Sequence, residues 1–426
     1  MRPLRIALVS QSYPPFHGGI AEHVAHLGEA LRDRGHAITV ITGGRKLGRN
    51  GGSADLARPP FEEPATPNPS GGPSIVSSNV HTNDPSHGRI RVCRIGRTLR
   101  IPSNGASVCI TLSLPLIRNG NPLSREVFDL VHLHAPFEPI LPLLTLFHKN
   151  APLVATFHSA GHPHWAHRCF RPILRVLSAR LEARIAVSQA AIDFVAPDVP
   201  GDYIIIPNGI DTRRFRSQPL PDPSEPLTLL FVGRLDPRKG IECLIDALPL
   251  IHREIQRPLR CWIVGDGPRR RSLTQRSKRS DVPIHFWGAV SRRDLPNFYR
   301  DAHMVISPAL HGESFGVVLL EGLASGRPVI ASDLPGYSEV LGTQQGSILF
   351  RTGSVPDLVR AVVKAAQSET MKRLSSEASR AAAPYDWMRV AAKVENVYRR
   401  VLGLSESTTP ESSRDCARPA AEFISI

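Results

Sequence analysis

The chain has 426 residues, 41% of them hydrophobic, which is enough for two or three domains with sizeable buried cores. Its net charge of +14 favours anionic partners, namely nucleotides, nucleic acid or an acidic membrane surface, although a basic soluble surface would give the same total. The six cysteines are scattered without a C-x-x-C pair, which argues against a disulfide scaffold or a zinc site and predicts a reducing, cytoplasmic compartment.

The first forty residues have the pattern of a strand, a helix and a second strand. Residues 4–10 form a continuous apolar run suited to a buried parallel strand, and residues 21–35 form an amphipathic helix. A second strand follows at residues 37–42. The first apolar run stops at Pro14 without a small-residue cleavage site, so we interpret it as a strand rather than a signal peptide.

Residues 45–88 interrupt this alternation. They are dominated by Pro, Gly, Ser and Asn and cannot bury enough apolar area to offset the entropy of ordering, so we predict a disordered insertion. The most apolar long segment, residues 130–147, is broken by histidines, a glutamate and prolines. It is too short and too polar for a transmembrane helix.

Strand and helix signals alternate on both sides of about residue 208. This pattern predicts two facing, doubly wound α/β domains, with a ligand in the cleft beyond the carboxyl ends of the strands. We predict an N-terminal domain over residues 1–207, a C-terminal domain over 208–385, a final helix over 386–404 that packs back toward the N-terminal domain, and a disordered tail over 405–426.

A cationic loop follows the first strand of the second domain. The segment FVGRLDPRKGI, residues 231–241, places Arg234, Arg238 and Lys239 just before a predicted helix. Fixed cations and free backbone N–H groups at a helix N-terminus suit a pyrophosphate clamp. The alternative is a basic loop on the surface, and spacing alone does not decide between the two.

Two glutamates bracket an apolar helix in HGESFGVVLLEGLASG, residues 311–326. Glu313 would suit neutral hydroxyls of a sugar attached beyond the phosphate, and Glu321 would accept hydrogen bonds from vicinal ribose hydroxyls. The apolar residues 317–320 leave little polar face for an ordinary exposed glutamate. Three backbone N–H groups at the helix start could face an anion, those of Ser314, Phe315 and Gly316.

Together these motifs resemble the retaining GT-B glycosyltransferases of family four. The segments HGGI, HLHAPFEP, ATFH, AVS, IPNGID, VGDGP and YDW fall in the family's order along most of the chain. The resemblance implies two facing Rossmann-like domains, the N-terminal on the acceptor side and the C-terminal binding a nucleotide-sugar. It also implies front-face hexose transfer with retention, without a cofactor or a metal in catalysis.

Within the family, the motifs are most similar to those of bacterial phosphatidyl-myo-inositol mannosyltransferases, which use GDP-mannose. The resemblance places Gly19 by the donor phosphates, the backbone near Val290 by the base, and Asn104 by the acceptor inositol. The implied catalytic residues are His134, Arg234, Lys239 and Glu313. The implied donor-binding residues are Gly19, Arg234, Arg238, Lys239, Val290, Glu313, Ser314, Phe315, Gly316, Val317 and Glu321. The implied acceptor-binding residues are Ser103, Asn104 and His134.

The acceptor side departs from the mannosyltransferase pattern. Ala135 stands where that pattern has a glutamate, Ser103 replaces a tyrosine, and the basic helix used against anionic lipid is missing before residue 129. Membrane contact could move to two other basic segments. One is residues 88–100, with five arginines, and the other has arginines at near-helical spacing, Arg168, Arg171, Arg175 and Arg184. An arginine-rich solvated face is the alternative, and the predicted location is cytoplasmic or peripheral at the inner face of the cell membrane.

Four histidines lie within ten residues, at His158, His162, His164 and His167. No Asp, Glu or Cys completes a familiar ligand set, so we interpret this segment as a polar active-site loop rather than a metal site.

Three other functions compete with the mannosyltransferase. Within the family, the alternative is an enzyme of capsule, exopolysaccharide or glycolipid synthesis that uses another GDP- or UDP-sugar. A nucleic-acid-binding protein would need aromatics interleaved with its arginines, and a sugar-phosphate epimerase would need a dinucleotide fingerprint. The sequence has neither, so the predicted partners are a nucleotide-sugar, a lipid-linked or glycan acceptor and an anionic membrane surface, not nucleic acid.

Overall fold

The computed structural model describes residues 2–14, 18–44, 88, 90–95, 97–103, 106–112, 123, 126–137, 141–147, 150–160, 165–342 and 346–404. The side chains of residues 97–112 and 165–170 are not described. The predicted insertion (apart from Gly88), the implied acceptor residue Asn104 and the predicted tail therefore lie outside the described residues.

The N-terminal domain is built on a parallel sheet. Its strands and the hairpin that follows the third strand are β1 (Arg5–Ser10), β2 (Ala37–Gly43), β3 (Arg91–Ile95), β4 (Arg97–Ser103), β5 (Ala106–Leu112), β6 (Leu130–His134), β7 (Leu153–Phe157), β8 (Ala183–Ala186) and β9 (Ile204–Ile205). The seven-stranded sheet has the order β3-β2-β1-β6-β7-β8-β9, while β4 and β5 pair antiparallel by themselves. The helices with described bounds are α1 (Gly19–Asp33), α2 (Leu141–Thr145), α3 (Trp165–Ser178) and α4 (Gln189–Val195).

The C-terminal domain repeats this plan with six parallel strands. They are β10 (Leu227–Val232), β11 (Leu259–Val264), β12 (Ile284–Gly288), β13 (Met304–Ser307), β14 (Val329–Ser332) and β15 (Ser347–Phe350). The helices are α5 (Ile241–Glu254), α6 (Arg270–Ser277), α7 (Leu295–Asp301), α8 (Val317–Ala324), α9 (Pro335–Leu341), α10 (Val355–Ala366) and α11 (Ser368–Ala382). The strand order is β12-β11-β10-β13-β14-β15, which confirms the predicted doubly wound α/β class.

The order of strands reverses at one point in each sheet. In the C-terminal sheet the reversal lies between β10 and β13, and in the N-terminal sheet between β1 and β6. Ligands of doubly wound folds bind beyond the carboxyl ends of the strands at such points. The loops at these ends carry the two donor motifs of the C-terminal domain and, in the N-terminal domain, Gly19 and His134.

The last helix, α12 (Trp387–Val401), belongs to the core of the N-terminal domain. Its buried side chains Val390, Val394 and Tyr398 pack in one cluster with Leu8 and other residues of β1. Each such apolar side chain contributes about 1.5–3 kcal/mol when fully buried. The chain therefore crosses between the domains twice.

The two crossings run side by side. The backbone N–H of Ile210 donates to the Tyr385 carbonyl at 2.8 Å, and the Trp387 N–H donates to the Ile210 carbonyl at 3.3 Å. A Cβ atom at Gly209 would enter the Trp387 ring, so the first crossing passes directly beneath that indole. This pairing fixes the two domains next to each other at the base of the cleft.

Among the described helices, none has both the length and the apolar character needed to cross a bilayer. Cys93, Cys243 and Cys261 are free thiols.

Candidate active site

The loop after β10 is held in place by a buried aspartate. Asp236 is 1% exposed and caps a 3₁₀ turn, Pro237–Lys239, by accepting a hydrogen bond from the Arg238 N–H at 3.0 Å. Its other oxygen lies 3.3 Å from the Arg238 guanidinium and 4.0 Å from Arg234 Nε. One carboxylate therefore positions both arginines of the predicted clamp, while 43% of the Arg234 side chain remains exposed.

Gly240 lets this loop approach the loop after β13. Its φ is +61°, and a Cβ atom there would overlap the carbonyl oxygen of Pro308. The close approach allows the Leu310 N–H to donate to the Arg238 carbonyl at 2.7 Å. The two loops at the strand reversal are therefore directly hydrogen-bonded to each other.

The two donor motifs meet in an ion pair. Lys239 Nζ lies 2.7 Å from Glu313 Oε1, and their side chains are only 19% and 11% exposed. Because desolvation of both groups opposes their attraction, the main consequence of this burial is that loss of either partner would leave a mostly buried charge unpaired. Lys239 is therefore held where the cation of a phosphate clamp was predicted.

The second glutamate of the motif is buried inside the domain. Glu321, on the second turn of α8, is 8% exposed, and Tyr299 on α7 donates a hydrogen bond to its Oε2 at 2.5 Å. Burial raises the pKa of Glu321 to about 7, against the lowering effect of the Tyr299 hydrogen bond. A buried carboxylate of this kind suits a ligand that donates hydrogen bonds to it.

The start of α8 is packed closely against α9. Gly316 takes φ +85° before the first helical residue, and a Cβ atom there would lie 2.5 Å from the Tyr337 ring. The Tyr337 hydroxyl lies 2.8 Å from Ser307 Oγ at the end of β13. Phe315 is 3% exposed, so its side chain belongs to the core behind the helix start.

On the opposite side of the cleft, histidines gather at the ends of β6 and β7. His134 ends β6 and is fully buried, and its Nδ1 lies 3.2 Å from Nε2 of His158, which follows β7. His23, on the first turns of α1, has its ring centroid 4.6 Å from that of His158 and 5.2 Å from that of His134. Burial lowers the pKa of all three, so they are neutral at pH 7.

A fourth histidine, His132, packs against His134, with ring centroids 4.2 Å apart. His132 has both ring nitrogens in hydrogen bonds, to the Tyr398 hydroxyl at 2.6 Å and to Thr156 Oγ1 at 2.7 Å. Burial lowers its pKa to about 3. Beyond His134, Ala135 takes the left-handed φ of +50°, which costs about 1–2 kcal/mol in a residue with a Cβ atom.

Contacts across the cleft join the two sides. Arg292, in the loop after β12, lies 3.3 Å from a Glu22 carboxylate oxygen and 3.0 Å from His26 Nε2, both on α1. Arg214 donates to the Arg292 carbonyl, and the charges of Arg214, Arg292 and Glu22 all act on Glu321. The α1 helix therefore reaches the neighbourhood of the predicted ribose glutamate.

The structure brings most of the predicted residues together. The C-terminal set, Arg234, Arg238, Lys239, Glu313, Ser314, Phe315, Gly316, Val317 and Glu321, surrounds the strand reversal. Val290 lies half-buried after β12, two residues before Arg292. Gly19 begins α1, and no atom of the described residues lies within 4 Å of a would-be Cβ there, which leaves room for a ligand. Ser103 pairs with Ala106 at the tip of the β4–β5 hairpin, and its side chain is not described.

Several residues of the site were not foreseen from the sequence. They are Asp236, Tyr299, Tyr337, Arg214, Arg292 and His23. Asp236 carried a usable signal, since an aspartate followed by proline predicts a capped turn. The other five residues come from separate elements that the folded chain brings to the site, and no local sequence pattern indicates them. Of the four histidines in the predicted polar loop, only His158 has a described side chain, and it faces His23 and His134 instead.

Among the predicted membrane-facing arginines whose side chains the structure describes, several turn toward partners within the protein. Arg171 donates to the buried Asp198 at 2.6 Å, and Arg184 turns back to the Ser178 carbonyl at 2.8 Å. Arg91 and Arg94 of the other basic segment contact Glu126 and the Pro14 carbonyl. Arg175 is exposed, with its guanidinium 3.2 Å from the Pro197 carbonyl. Helical spacing alone did not reveal these inward partners.

Comparisons with known proteins agree with this arrangement. A sequence model for Glycosyltransferase Family 4 matches residues 17–214, and one for Glycosyl transferases group 1 matches residues 226–368. The phosphatidyl-myo-inositol mannosyltransferase of Mycolicibacterium smegmatis is 30% identical over 414 residues, covering 94% of this chain and 95% of that protein.

Two solved structures share the fold. A glycosyltransferase of Rickettsia africae ESF-5 has a TM-score of 0.67 and 17% identity, covering 95% of this chain and 100% of that one. The Anabaena protein HepE, in complex with UDP and glucose, has a TM-score of 0.64 and 18% identity, covering 93% and 100%. Together with the sequence matches, they establish that the chain belongs to the family-four glycosyltransferases and has the GT-B fold.

Proposed function

We propose that this glycosyltransferase transfers mannose from GDP-mannose to a hydroxyl of phosphatidylinositol, with retention at the anomeric carbon. The observation that carries the proposal is the 30% identity, over 94% of the chain, to a phosphatidyl-myo-inositol mannosyltransferase. The Lys239–Glu313 pair and the buried Glu321, placed at the strand reversal, support the same donor site.

The donor lies along the C-terminal side of the cleft. Glu321 accepts hydrogen bonds from the ribose hydroxyls, and the backbone near Val290 contacts the guanine. Arg234, Lys239 and the N–H groups at the start of α8 hold the diphosphate. Glu313 then exchanges part of its contact with Lys239 for hydroxyls of the mannose, so donor binding redistributes an ion pair that is already formed.

The leaving group is stabilised by fixed charge. As the bond between C1 and the diphosphate oxygen breaks, negative charge grows on the diphosphate beside Arg234 and Lys239. Stabilisation of developing charge by preorganised cations is usually the largest single contribution to lowering an enzyme's activation barrier. The acceptor oxygen forms its bond to C1 on the same face, and its proton passes to the departing diphosphate. His134 contacts the transferred sugar, and a divalent cation has no step in this reaction.

The acceptor side includes a surface suited to a membrane. On α3, Ile173 is 55% and Val176 72% exposed, and Phe147 nearby is 56% exposed. The Arg180 guanidinium lies 5.6 Å from the Phe147 ring centroid, and Arg175 is exposed beside Val176. Apolar side chains rimmed by arginines fit an anionic bilayer, where each basic residue contributes about 1 kcal/mol.

The direct test is transfer of radiolabelled mannose from GDP-mannose to phosphatidylinositol in vesicles, with UDP-glucose, UDP-galactose and ADP-glucose as competing donors. We expect a lipid-soluble mannosylated product from GDP-mannose alone and an unchanged rate in EDTA. The product's anomeric configuration, read by NMR, is expected to match the α-linkage of the donor. Transfer from another donor, or an inverted product, would overturn the proposal.

The membrane face has its own test. Val176→Asp is expected to reduce sedimentation with phosphatidylinositol-containing vesicles several-fold. Leu250→Asp, at a 40% exposed apolar site on the C-terminal domain, is the matched control and is expected to bind as the wild type does. Equal loss in both variants, or in neither, would remove α3 from the acceptor side.

A second candidate keeps the family and changes both the donor and the acceptor. The departures at Ala135 and Ser103 lie on the acceptor side, where the mannosyltransferase pattern is broken. They favour another lipid-linked or glycan acceptor in capsule, exopolysaccharide or glycolipid synthesis, served by a GDP- or UDP-sugar. In the transfer assay this candidate gives no mannosylated phosphatidylinositol from GDP-mannose, which separates it from the first.

A further inference from the structure

The three histidines His23, His134 and His158 form a compact nitrogen cluster. One ring nitrogen from each lies within 4.8 Å of the other two. Among the described residues this is the only group of three or more His, Cys, Asp or Glu side chains with that geometry. Imidazole nitrogens suit Zn²⁺, Cu²⁺, Ni²⁺ and Co²⁺, whereas Mg²⁺ and Ca²⁺ prefer oxygen.

The spacing of two of these nitrogens already fits a shared ion. His134 Nδ1 and His158 Nε2 lie 3.2 Å apart. Two imidazoles bound tetrahedrally to one zinc ion at about 2.0–2.1 Å have nitrogens roughly 3.4 Å apart. The His134–His158 pair would therefore need little movement, and His23 would move inward by an ångström or so.

The supporting contacts fix the protonation of the third ligand. His23 Nδ1 lies 2.8 Å from Asn208 Oδ1, and because a carbonyl oxygen only accepts, His23 carries its proton on Nδ1. Its Nε2 lone pair is left for the cluster. A histidine whose second nitrogen donates to a carbonyl is the usual arrangement of a metal ligand.

The hydrogen bonds of His132 exclude it from the ligand set. Its ring centroid lies 4.2 Å from that of His134, but both of its nitrogens are occupied, by Tyr398 and Thr156. The proposed ligands are therefore His23, His134 and His158 alone.

The cluster has an approach from solvent. His158 is half-buried and is followed by the exposed Ser159, so the group opens on the loop after β7. From these observations, we propose that His23, His134 and His158 bind one Zn²⁺ or similar borderline-soft divalent ion, and that the bound ion inhibits sugar transfer. The inhibitory part rests on the proposed function, since a bound ion would occupy the imidazole that contacts the transferred sugar.

The test measures metal binding, so its failure is distinct from failure of the proposed donor. Tag-free, chelator-treated full-length protein is titrated with ZnCl₂ by calorimetry. We expect one tight equivalent, weakened at least about tenfold in His23→Gln and in His158→Gln, and about tenfold in Asn208→Ala, which loses the supporting carbonyl. His252→Gln, on the exposed face of α5, is the matched control and is expected to bind as the wild type does.

A second measurement needs no substitution. The X-ray absorption fine structure of the zinc-loaded wild type is expected to show three imidazole ligands, and MgCl₂ is expected to give no heat of binding. Circular dichroism and thermal melting establish that each variant is folded. Absence of a tight equivalent in the wild type, fewer than two imidazoles at the metal, or equal affinity in folded His23→Gln would overturn the proposal.

Discussion

Glu321 is a buried carboxylate whose ionisation reduces the stability of the folded protein. Its pKa is raised from 4.5 to about 7 by burial, so the folded chain keeps a proton that the unfolded chain releases. As pH rises from 4.5 to 7, the free energy of unfolding therefore falls. Above pH 7 the free energy of unfolding is lower by about 3 kcal/mol than it is below pH 4.5.

We predict that Glu321→Gln is more stable than the wild type at pH 8 and no more stable at pH 4.5. Glutamine keeps an oxygen that can accept from Tyr299, but it never has to ionise in the buried site. Urea unfolding at both pH values measures the difference. Glu369→Gln, at a 90% exposed side chain, is the control and is expected to change stability little at either pH. Lower stability of Glu321→Gln than of the wild type at pH 8 would contradict the account.

The histidine cluster illustrates what the sequence could not supply at the scale of residues. His23, His134 and His158 are far apart in the chain and belong to α1, β6 and the loop after β7. Parallel strands bring β6 and β7 to one edge, so the proximity of His134 and His158 could be predicted once that order is known. The hydrogen bond from His23 to Asn208 depends on the interdomain crossing, which no local pattern encodes.

At the scale of elements, the donor site depends on two loops that touch. Gly240 is the contact point, because its positive φ and its approach to Pro308 both exclude a side chain. The sequence predicted the loop and its cations from composition and spacing. Nothing in that pattern indicated that the loop after β10 is bonded through Leu310 to the loop after β13.

Replacement of Gly240 by alanine is expected to destabilise the C-terminal domain by about 3 kcal/mol and to weaken nucleotide binding, since strain and overlap add. Gly403→Ala is the matched control, with a φ of +65° but, in the described part of the chain, no atom within 4 Å of the new Cβ. It is expected to cost about 1 kcal/mol from strain alone. Thermal unfolding of the two variants separates the contributions. Equal losses would mean that the loop contact with Pro308 is unimportant.

Most strands were predictable because they are continuous apolar runs buried on both faces, as in β1, β6 and β10. The inward turn of Arg171 and Arg184 was not predictable, because an amphipathic pattern gives no information on polar partners from neighbouring loops. Helical spacing therefore gave no guide to these two side chains, of which Arg171 lies on α3 and Arg184 lies on β8.

At the scale of the whole molecule, α12 fastens the C-terminal end of the chain to the N-terminal domain. Glu395 is 3% exposed and contacts Arg34 at 2.6 Å, Arg399 at 2.7 Å and His36 at 3.3 Å. The pKa of Glu395 is lowered by these partners despite its burial. The carboxylate therefore stabilises the docked helix in its ionised form.

Loss of this carboxylate in Glu395→Ala is expected to destabilise the protein by about 3 kcal/mol, because two partly buried guanidinium groups are left without their partner. Urea unfolding at pH 7 measures the change, with Glu369→Ala at the exposed site as its control. A change within about 0.5 kcal/mol in both variants would mean that apolar packing alone holds α12.

Arg292 links the two domains across the cleft through its contacts with α1. Glu22 and His26 belong to the N-terminal domain, while Arg292 and Glu321 belong to the C-terminal domain. The predicted facing arrangement of two α/β domains is confirmed, and it follows from the alternation of strands and helices. The ion pairs that join the domains could not be predicted, since they link residues about 270 positions apart, such as Glu22 and Arg292.

The central claim is that the residues at the β10–β13 reversal bind the nucleotide of a sugar donor. Its most direct test is calorimetric titration with GDP, UDP and ADP of the wild type, Lys239→Ala, Glu321→Ala and the control Lys372→Ala. We predict tight binding of GDP, at least about tenfold weaker in the first two variants because each loses a charged or hydrogen-bonded contact, and unchanged in the control. No nucleotide binding by the wild type, or equal affinity in all four proteins, would contradict the account.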